Sequence, residues 1–204
     1  PKTAAKESPM PVDEIPSAGT AAVAAPERQD VKTGGLKIPL RWSDPQVHPY
    51  DQITWERRQA SIQSEKGEVV FDQGDVEIPS EWSMTATNVV ASKYFKRNTR
   101  SGSRENSVRQ LIDRVVLSIS AWGRKGGYFA SEADGRNFER ELTAILVRQH
   151  ASFNSPVWFN VGLEEKPQCS ACFIKSVEDS MGSIQDLAKT EGMLFKFGSG
   201  TGTN

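Results

Sequence analysis

Two thiols three positions apart, in Cys169-Ser-Ala-Cys172, are the residues of this chain with the clearest chemistry of their own. Such a pair can chelate a metal or cycle between dithiol and disulfide. A closed zinc site needs four ligands, and His48 and His150 offer no paired spacing to complete one, which argues against zinc. A thioredoxin-like centre sets its first thiol at a strand-to-helix turn. Here Cys172 instead opens Cys172-Phe-Ile-Lys-Ser-Val177, a run that reads as a buried strand. Two buried structural cysteines are the plain alternative. The second candidate is Gly198-Ser-Gly-Thr-Gly-Thr-Asn204, whose glycines let a backbone approach a ligand and whose amides suit phosphate. It lacks the Lys-Ser/Thr of a P-loop and follows a helix rather than opening one, so by itself it reads equally as a flexible turn. Asp179-Ser-Met181 is the third candidate, with a helix start over Ser176–Asp179 as its ordinary role. Ser155, a hydroxyl before Pro156, is the fourth.

Little else competes. No His accompanies a Ser or Cys in a nucleophile motif, and His48 and His150 read as surface or interface residues. The balance of 25 basic and 26 acidic residues gives a net charge of −1, with no general pull towards nucleic acid or anionic membrane. No apolar run is long enough to span a bilayer, and no secretory leader pattern is present. Two cysteines do not make a disulfide framework, so a reducing cytoplasm is the expected compartment.

The elements that must hold these residues can be read from periodicity and caps. Residues 1–35 are Ala- and Pro-rich without an aromatic residue and are expected to be disordered. A mostly helical domain is expected over 36–150. It holds a short helix at Thr54–Ile62, extended segments at Glu68–Phe71 and Val76–Ile78, and a helix from a Ser80 cap to about Lys96. A further helix capped by Asn106 or Ser107 carries Val108, Leu111, Ile112, Val115, Ile119 and Trp122 inward, and Gly126-Gly127 stop it. Ser131–Asp134 then forms a capping box before Phe138, Leu142 and Ile145. The three longer helices are expected to pack together. Over 151–204, Phe153–Asn160 reads as a rigid loop or short strand because of Pro156. Ser183–Phe197 reads as a helix with Ile184, Leu187, Leu194 and Phe195 inward, and Gly198 as its C-terminal stop. Strand, helix and extended glycine loop begin a βα repeat, so the fold class is α/β with a parallel sheet or barrel. The glycine-rich C-terminus leads to the expectation that the chain is a piece of a longer protein.

Taken together, Phe153-Asn-Ser-Pro-Val-Trp-Phe-Asn-Val-Gly162, Pro167-Gln-Cys-Ser-Ala-Cys-Phe-Ile174, Val177-Glu-Asp-Ser-Met181 and Leu194-Phe-Lys-Phe-Gly-Ser-Gly-Thr-Gly-Thr-Asn204 occur in the order seen in class II, vitamin B12-dependent ribonucleotide reductases. Val76-Glu-Ile-Pro, Trp82-Ser and Lys93-Tyr-Phe95 also resemble the helical N-terminal domain of that family. The resemblance covers about residues 42–204. It implies the start of a ten-stranded α/β barrel and reduction of ribonucleotides to 2′-deoxyribonucleotides by thiyl-radical chemistry. It also implies adenosylcobalamin as cofactor, held mainly by regions outside this chain, a thioredoxin or glutaredoxin-type reductant, a deoxynucleotide effector and a homodimer. The match is to the ribonucleoside-diphosphate type, although the residues leave di- and triphosphate open. Carried over by position, Cys172 resembles the first redox cysteine, because the family's Asp-Ser effector pair lies seven and eight residues beyond it, at Asp179 and Ser180. Cys169 is then a bystander. Ser155 resembles the hydroxyl that contacts the substrate phosphate. Ala171, Cys172 and Gly200 resemble residues lining the nucleotide, and Asp179, Ser180 and Met181 part of the effector site. The thiyl cysteine, the second redox cysteine and the C-terminal thiols have no counterpart here, so the chain alone is expected to be inactive. Three other readings compete: a class I large subunit, a helical interaction module with an incidental thiol pair, and a small dithiol oxidoreductase.

Overall fold

The computed structural model describes residues 34–96 and 103–204. The tail expected to be disordered lies outside them except for Gly34 and Gly35. Leu36 is tied to the body, donating its N–H to the Tyr128 carbonyl at 2.7 Å and accepting from the Ala130 N–H at 2.9 Å.

Where a helix was expected at Thr54–Ile62, the chain forms β1, Trp55–Gln63, paired antiparallel with β2, Val69–Pro79. The turn between them is closed by Gly67, whose N–H donates to the Ser64 carbonyl at 2.9 Å. Residues such as Glu56, Arg57 and Gln59 favour a helix locally, but pairing decides. In the hairpin Ala60 of β1 and Val76 and Ile78 of β2 face the core and are fully buried, the two-residue alternation of a half-buried sheet. The two extended segments expected downstream are thus one strand. Its register slips between Arg58 and Ala60, opposite Gly74 and Asp75, and Asp75 takes a positive φ of 56° there, as a bulge requires.

Ser83, not Ser80, caps α1, Met84–Val89. Ser80 instead spends its N–H on the Thr54 carbonyl, closing the hairpin. The helix ends in a π turn, Val90–Tyr94. Ser107 caps α2, Val108–Lys125, whose Val108, Leu111, Ile112, Val115 and Val116 form the centre of the core. Trp122 does not join them and is 42% exposed. The last turn of α2 is held by ion pairs of Arg124 with Glu132 (3.0 Å) and Glu139 (2.6 Å). Ser131 caps α3, Glu132–Val147, by accepting the Asp134 N–H. Asp134 answers as a capping box requires, its carboxylate reaching back to the Ser131 hydroxyl at 2.5 Å and to the Ser131 N–H, and it also accepts the Ile38 N–H, 96 residues away, at 2.8 Å. The most buried apolar residues of α3 are Ala144, Leu146 and Val147, while Phe138, Leu142 and Ile145 are half-buried. Burial raises the Glu141 carboxyl, but hydrogen bonds from the Ser43 hydroxyl and from the N–H groups of Trp42, Arg41 and Ser43 outweigh it and hold it below its ordinary range.

The hairpin, the π turn, α2, the end of α3 and α4 (Ser155–Asn160) share one apolar core. The expected mostly helical domain is therefore a mixture of helices and a long hairpin. Among the described residues no helix is long and apolar enough to cross a membrane.

Candidate functional site

Phe153–Asn160, expected as a loop or strand, contains α4. Asn154 caps it by accepting the Val157 N–H at 3.3 Å, and Pro156 falls in the first turn. A missing N–H costs nothing there, so the proline starts the helix instead of breaking it. Ser155 is the first residue of α4, and its hydroxyl lies 3.0 Å from that of Tyr94. Tyr94 also stacks on Phe159 of α4, with ring centroids 5.4 Å apart and planes at 28°. The Lys96 ammonium sits 4.5 Å from the Phe159 centroid. Burial and the nearby Arg114 lower the Lys96 pKa.

After α4 come β3, Cys172–Lys175, α5, Met181–Lys196, and β4, Gly200–Thr203. β3 and β4 pair in parallel with Cys172 opposite Gly200, Phe173 opposite Thr201 and Ile174 opposite Gly202. Much of the expected glycine loop is thus a strand. Ser180 caps α5 by accepting the Ser183 N–H at 3.2 Å, and Ser183 Oγ accepts the Glu178 N–H at 3.0 Å. The helix start expected over Ser176–Asp179 is displaced to this pair. α5 ends in a Schellman turn. Gly198 adopts φ 84° and donates to the Phe195 carbonyl, while Ser199 donates to Leu194. The ring of Phe159 would meet a Cβ at Gly198 at 2.8 Å, so helix end and α4 are in close contact.

The structure brings Ala171, Cys172 and Gly200 together. The Gly200 N–H donates to the Ala171 carbonyl at 2.6 Å. A Cβ on Gly200 would meet only that carbonyl, at an ordinary 3.7 Å, so internal packing does not demand a glycine there. Cys172 is an exposed free thiol, against the expectation of a buried strand; Ile174 beside it is 86% exposed. The four α5 residues expected inward do not bury either: Ile184 and Phe195 are exposed, and Leu187 and Leu194 only half-covered. No second layer covers the β3–β4 pair or α5 among the described residues. Cys169 packs against the core, and burial pushes its thiol pKa up. Asp179, Ser180 and Met181 cluster, exposed, at the head of α5. Ser155 stands apart from β3, held by Tyr94. Its link to the βαβ unit runs through Phe159 against Gly198 and through Asn160, whose buried amide donates to the carbonyls of Gln168 and Phe197, each at 3.0 Å. Ser199, also buried, donates its hydroxyl to the Ser170 carbonyl at 2.7 Å. Tyr94, Asn160 and Ser199 fall within segments picked out in the sequence but were given no role of their own there. A polar residue within an apolar stretch, as at Asn160, is the one signal that could have marked them.

The family described as class II vitamin B12-dependent ribonucleotide reductase matches residues 56–149, and the ribonucleotide reductase barrel domain matches residues 170–204. The vitamin B12-dependent ribonucleotide reductase of Streptomyces clavuligerus is 50% identical over 173 residues, covering 84% of this chain and 18% of the relative. That of Rhodopirellula baltica is 46% identical over 200 residues, covering 83% of this chain and 19% of the relative. Over these stretches the chain is similar to the N-terminal region of class II vitamin B12-dependent ribonucleotide reductases. A ribonucleoside-diphosphate reductase large subunit of African swine fever virus is 39% identical over only 62 residues, 30% of this chain. The longer and closer matches therefore favour the class II family over the class I alternative, and the shared family over an incidental thiol pair.

The chain spans about 18% of the length of the curated class II relatives it matches. In keeping with that, the described residues hold two neighbouring parallel strands and no closed barrel. The class II family implies a cobalamin. Among the described residues no three His, Cys, Asp or Glu side chains are grouped to hold a bare metal ion, which does not bear on a cobalamin, whose cobalt is already held by the four nitrogens of its corrin ring. His48 caps the turn Pro49–Gln52 through Nδ1, and His150 packs on Trp42 at 4.9 Å.

Proposed function

We propose that this chain supplies the first redox thiol and part of the nucleotide cradle of an enzyme that reduces ribonucleotides to 2′-deoxyribonucleotides. The observation that carries the reading is the exposed Cys172 thiol, placed in register with Gly200, a glycine that internal packing does not require. In this reading the Ala171 and Gly200 backbones line the sugar, and the Ser155 hydroxyl donates to a substrate phosphate. Cys172 and a second thiol elsewhere in the full-length protein give two hydrogens. The 2′-hydroxyl leaves as water, and the two sulfurs end as a disulfide, which a thioredoxin or glutaredoxin-type reductant returns to thiols. Adenosylcobalamin, when bound, supplies the radical that starts the reaction. Asp179, Ser180 and Met181 form part of a deoxynucleotide effector site near a homodimer interface. The substrate is a ribonucleoside diphosphate and the compartment the cytoplasm.

In the full-length protein, Cys172→Ser abolishes multiple turnover while Cys169→Ser leaves it near wild type. Sustained turnover by Cys172→Ser removes the reading. So does full activity without added cobalamin.

A further inference from the structure

We infer that Tyr94 is a positioning residue that turns the Ser155 hydroxyl towards the substrate phosphate. This rests on the reading of Ser155 given above. A serine hydroxyl has one proton and two lone pairs. Other hydroxyls in the helices of this chain spend that proton on the preceding turn: Thr87 donates to the Ser83 carbonyl at 3.1 Å and Ser118 to the Arg114 carbonyl at 2.7 Å. Ser155 stands in the first turn of α4, with no helical carbonyl beneath it, and meets the Tyr94 hydroxyl at 3.0 Å. A phenol, with a pKa of about 10, is the stronger acid of the two and the better donor. Tyr94 therefore donates, Ser155 accepts, and the Ser155 proton is left for an anion.

The backbone is built to bring Tyr94 there. The Phe95 N–H reaches the Val90 carbonyl, five residues back, at 3.0 Å. That extra residue per turn is the mark of a π turn, a form that recurs at functional sites. It lets Phe95 plug into the core, 3% exposed, while Tyr94 stays at the surface of α4. Phe159 lies four residues after Ser155 on the same helix face. Its stack on the Tyr94 ring holds the phenol beside the serine, and its contact with Gly198 ties both to the turn that leads into β4. The Lys96 ammonium over the Phe159 ring adds positive charge beside the pair.

The test is a double-mutant cycle in the full-length enzyme, with ribonucleoside diphosphate and the matching unphosphorylated ribonucleoside as probes. Tyr94→Phe keeps the ring stack and removes only the hydroxyl. It is expected to raise KM for the diphosphate about three- to ten-fold, with kcat little changed, the usual size of one hydrogen bond. Ser155→Ala raises KM further, Ser155→Thr restores most of it, and Tyr94→Phe adds nothing once Ser155 is Ala. Neither substitution alters KM for the unphosphorylated ribonucleoside. Additive effects in the cycle, equal effects on both probes, or a silent Tyr94→Phe beside a damaging Ser155→Ala overturn the inference alone. A Ser155→Ala enzyme with unchanged KM overturns the reading of Ser155 and the inference with it.

Discussion

The hairpin–helix body and the β3–α5–β4 unit treat similar apolar side chains in opposite ways. In the body Val76, Ile78 and Val115 are fully buried, and Ile112 is 1% exposed. In the unit Ile174 is 86%, Met193 54% and Phe195 55% exposed, and α5 has no buried residue at all. Both regions have well-capped helices and ordered strands, so regular structure is not what separates them. Packing is. The body is held by burial, which removes apolar area from water. The unit is held by a parallel ladder, a Ser180–Ser183 cap and a Schellman turn, interactions worth about 1 kcal/mol each. A surface kept apolar without being buried suits a unit meant to be covered by further layers of an α/β fold, as the barrel-domain match indicates.

Substitutions can break or sharpen this contrast. The largest effect is expected within the body, at Arg114. Its guanidinium is 9% exposed, pairs with Glu105 at 2.7 Å and donates to the Val161 and Trp158 carbonyls at 2.7 and 3.2 Å. Arg114→Ala strips the ion pair from the half-buried Glu105 carboxylate, leaving it the Lys96 N–H at 2.9 Å, and takes the guanidinium donor from two carbonyls. It should cost about 3–5 kcal/mol in urea unfolding of the 204-residue chain, with an unchanged m value. At the joint between the regions, Gly198→Ala meets both a left-handed backbone and the Phe159 ring, so a loss of about 1–2 kcal/mol is expected. Within the unit, Ile184→Ser should change stability by no more than about 0.5 kcal/mol, since Ile184 is 46% exposed. A loss above about 1.5 kcal/mol at Ile184 would mean that α5 buries a face after all, and the contrast would fall.

What could be read from the residues follows the range of the forces involved. α2, α3 and α5 were legible because a periodic apolar run lies within one window of a cap or a stop, as with Ser107 and Gly126 for α2 or Gly198 for α5, whose cap is Ser180 and not the Ser176–Asp179 segment expected. The parallel βα order of the last segment was legible for the same reason. β1 was not, because Glu56–Gln59 favour a helix locally and only β2, beyond the Gly67 turn, makes them a strand. α4 was missed because Pro156 was taken as a break, when its position after an Asn cap makes it a start. Burial in β3 and α5 was overestimated, because periodicity shows which side chains share a face and not what lies against it. At the candidate site, the grouping of Cys172 with Gly200 followed from motif order. The meeting of Tyr94 and Ser155, 61 residues apart, left no trace in either local pattern.

The short β3–β4 ladder also bears on how the polypeptide behaves in a tube. Among the described residues each of its two strands has a strand partner on one side and an open edge on the other. Lys175 is the only charge on either strand to discourage a neighbour from docking there. Prepared by itself, the chain should polymerise strand against strand as concentration rises, and a lysine placed at Ile174 should slow that association.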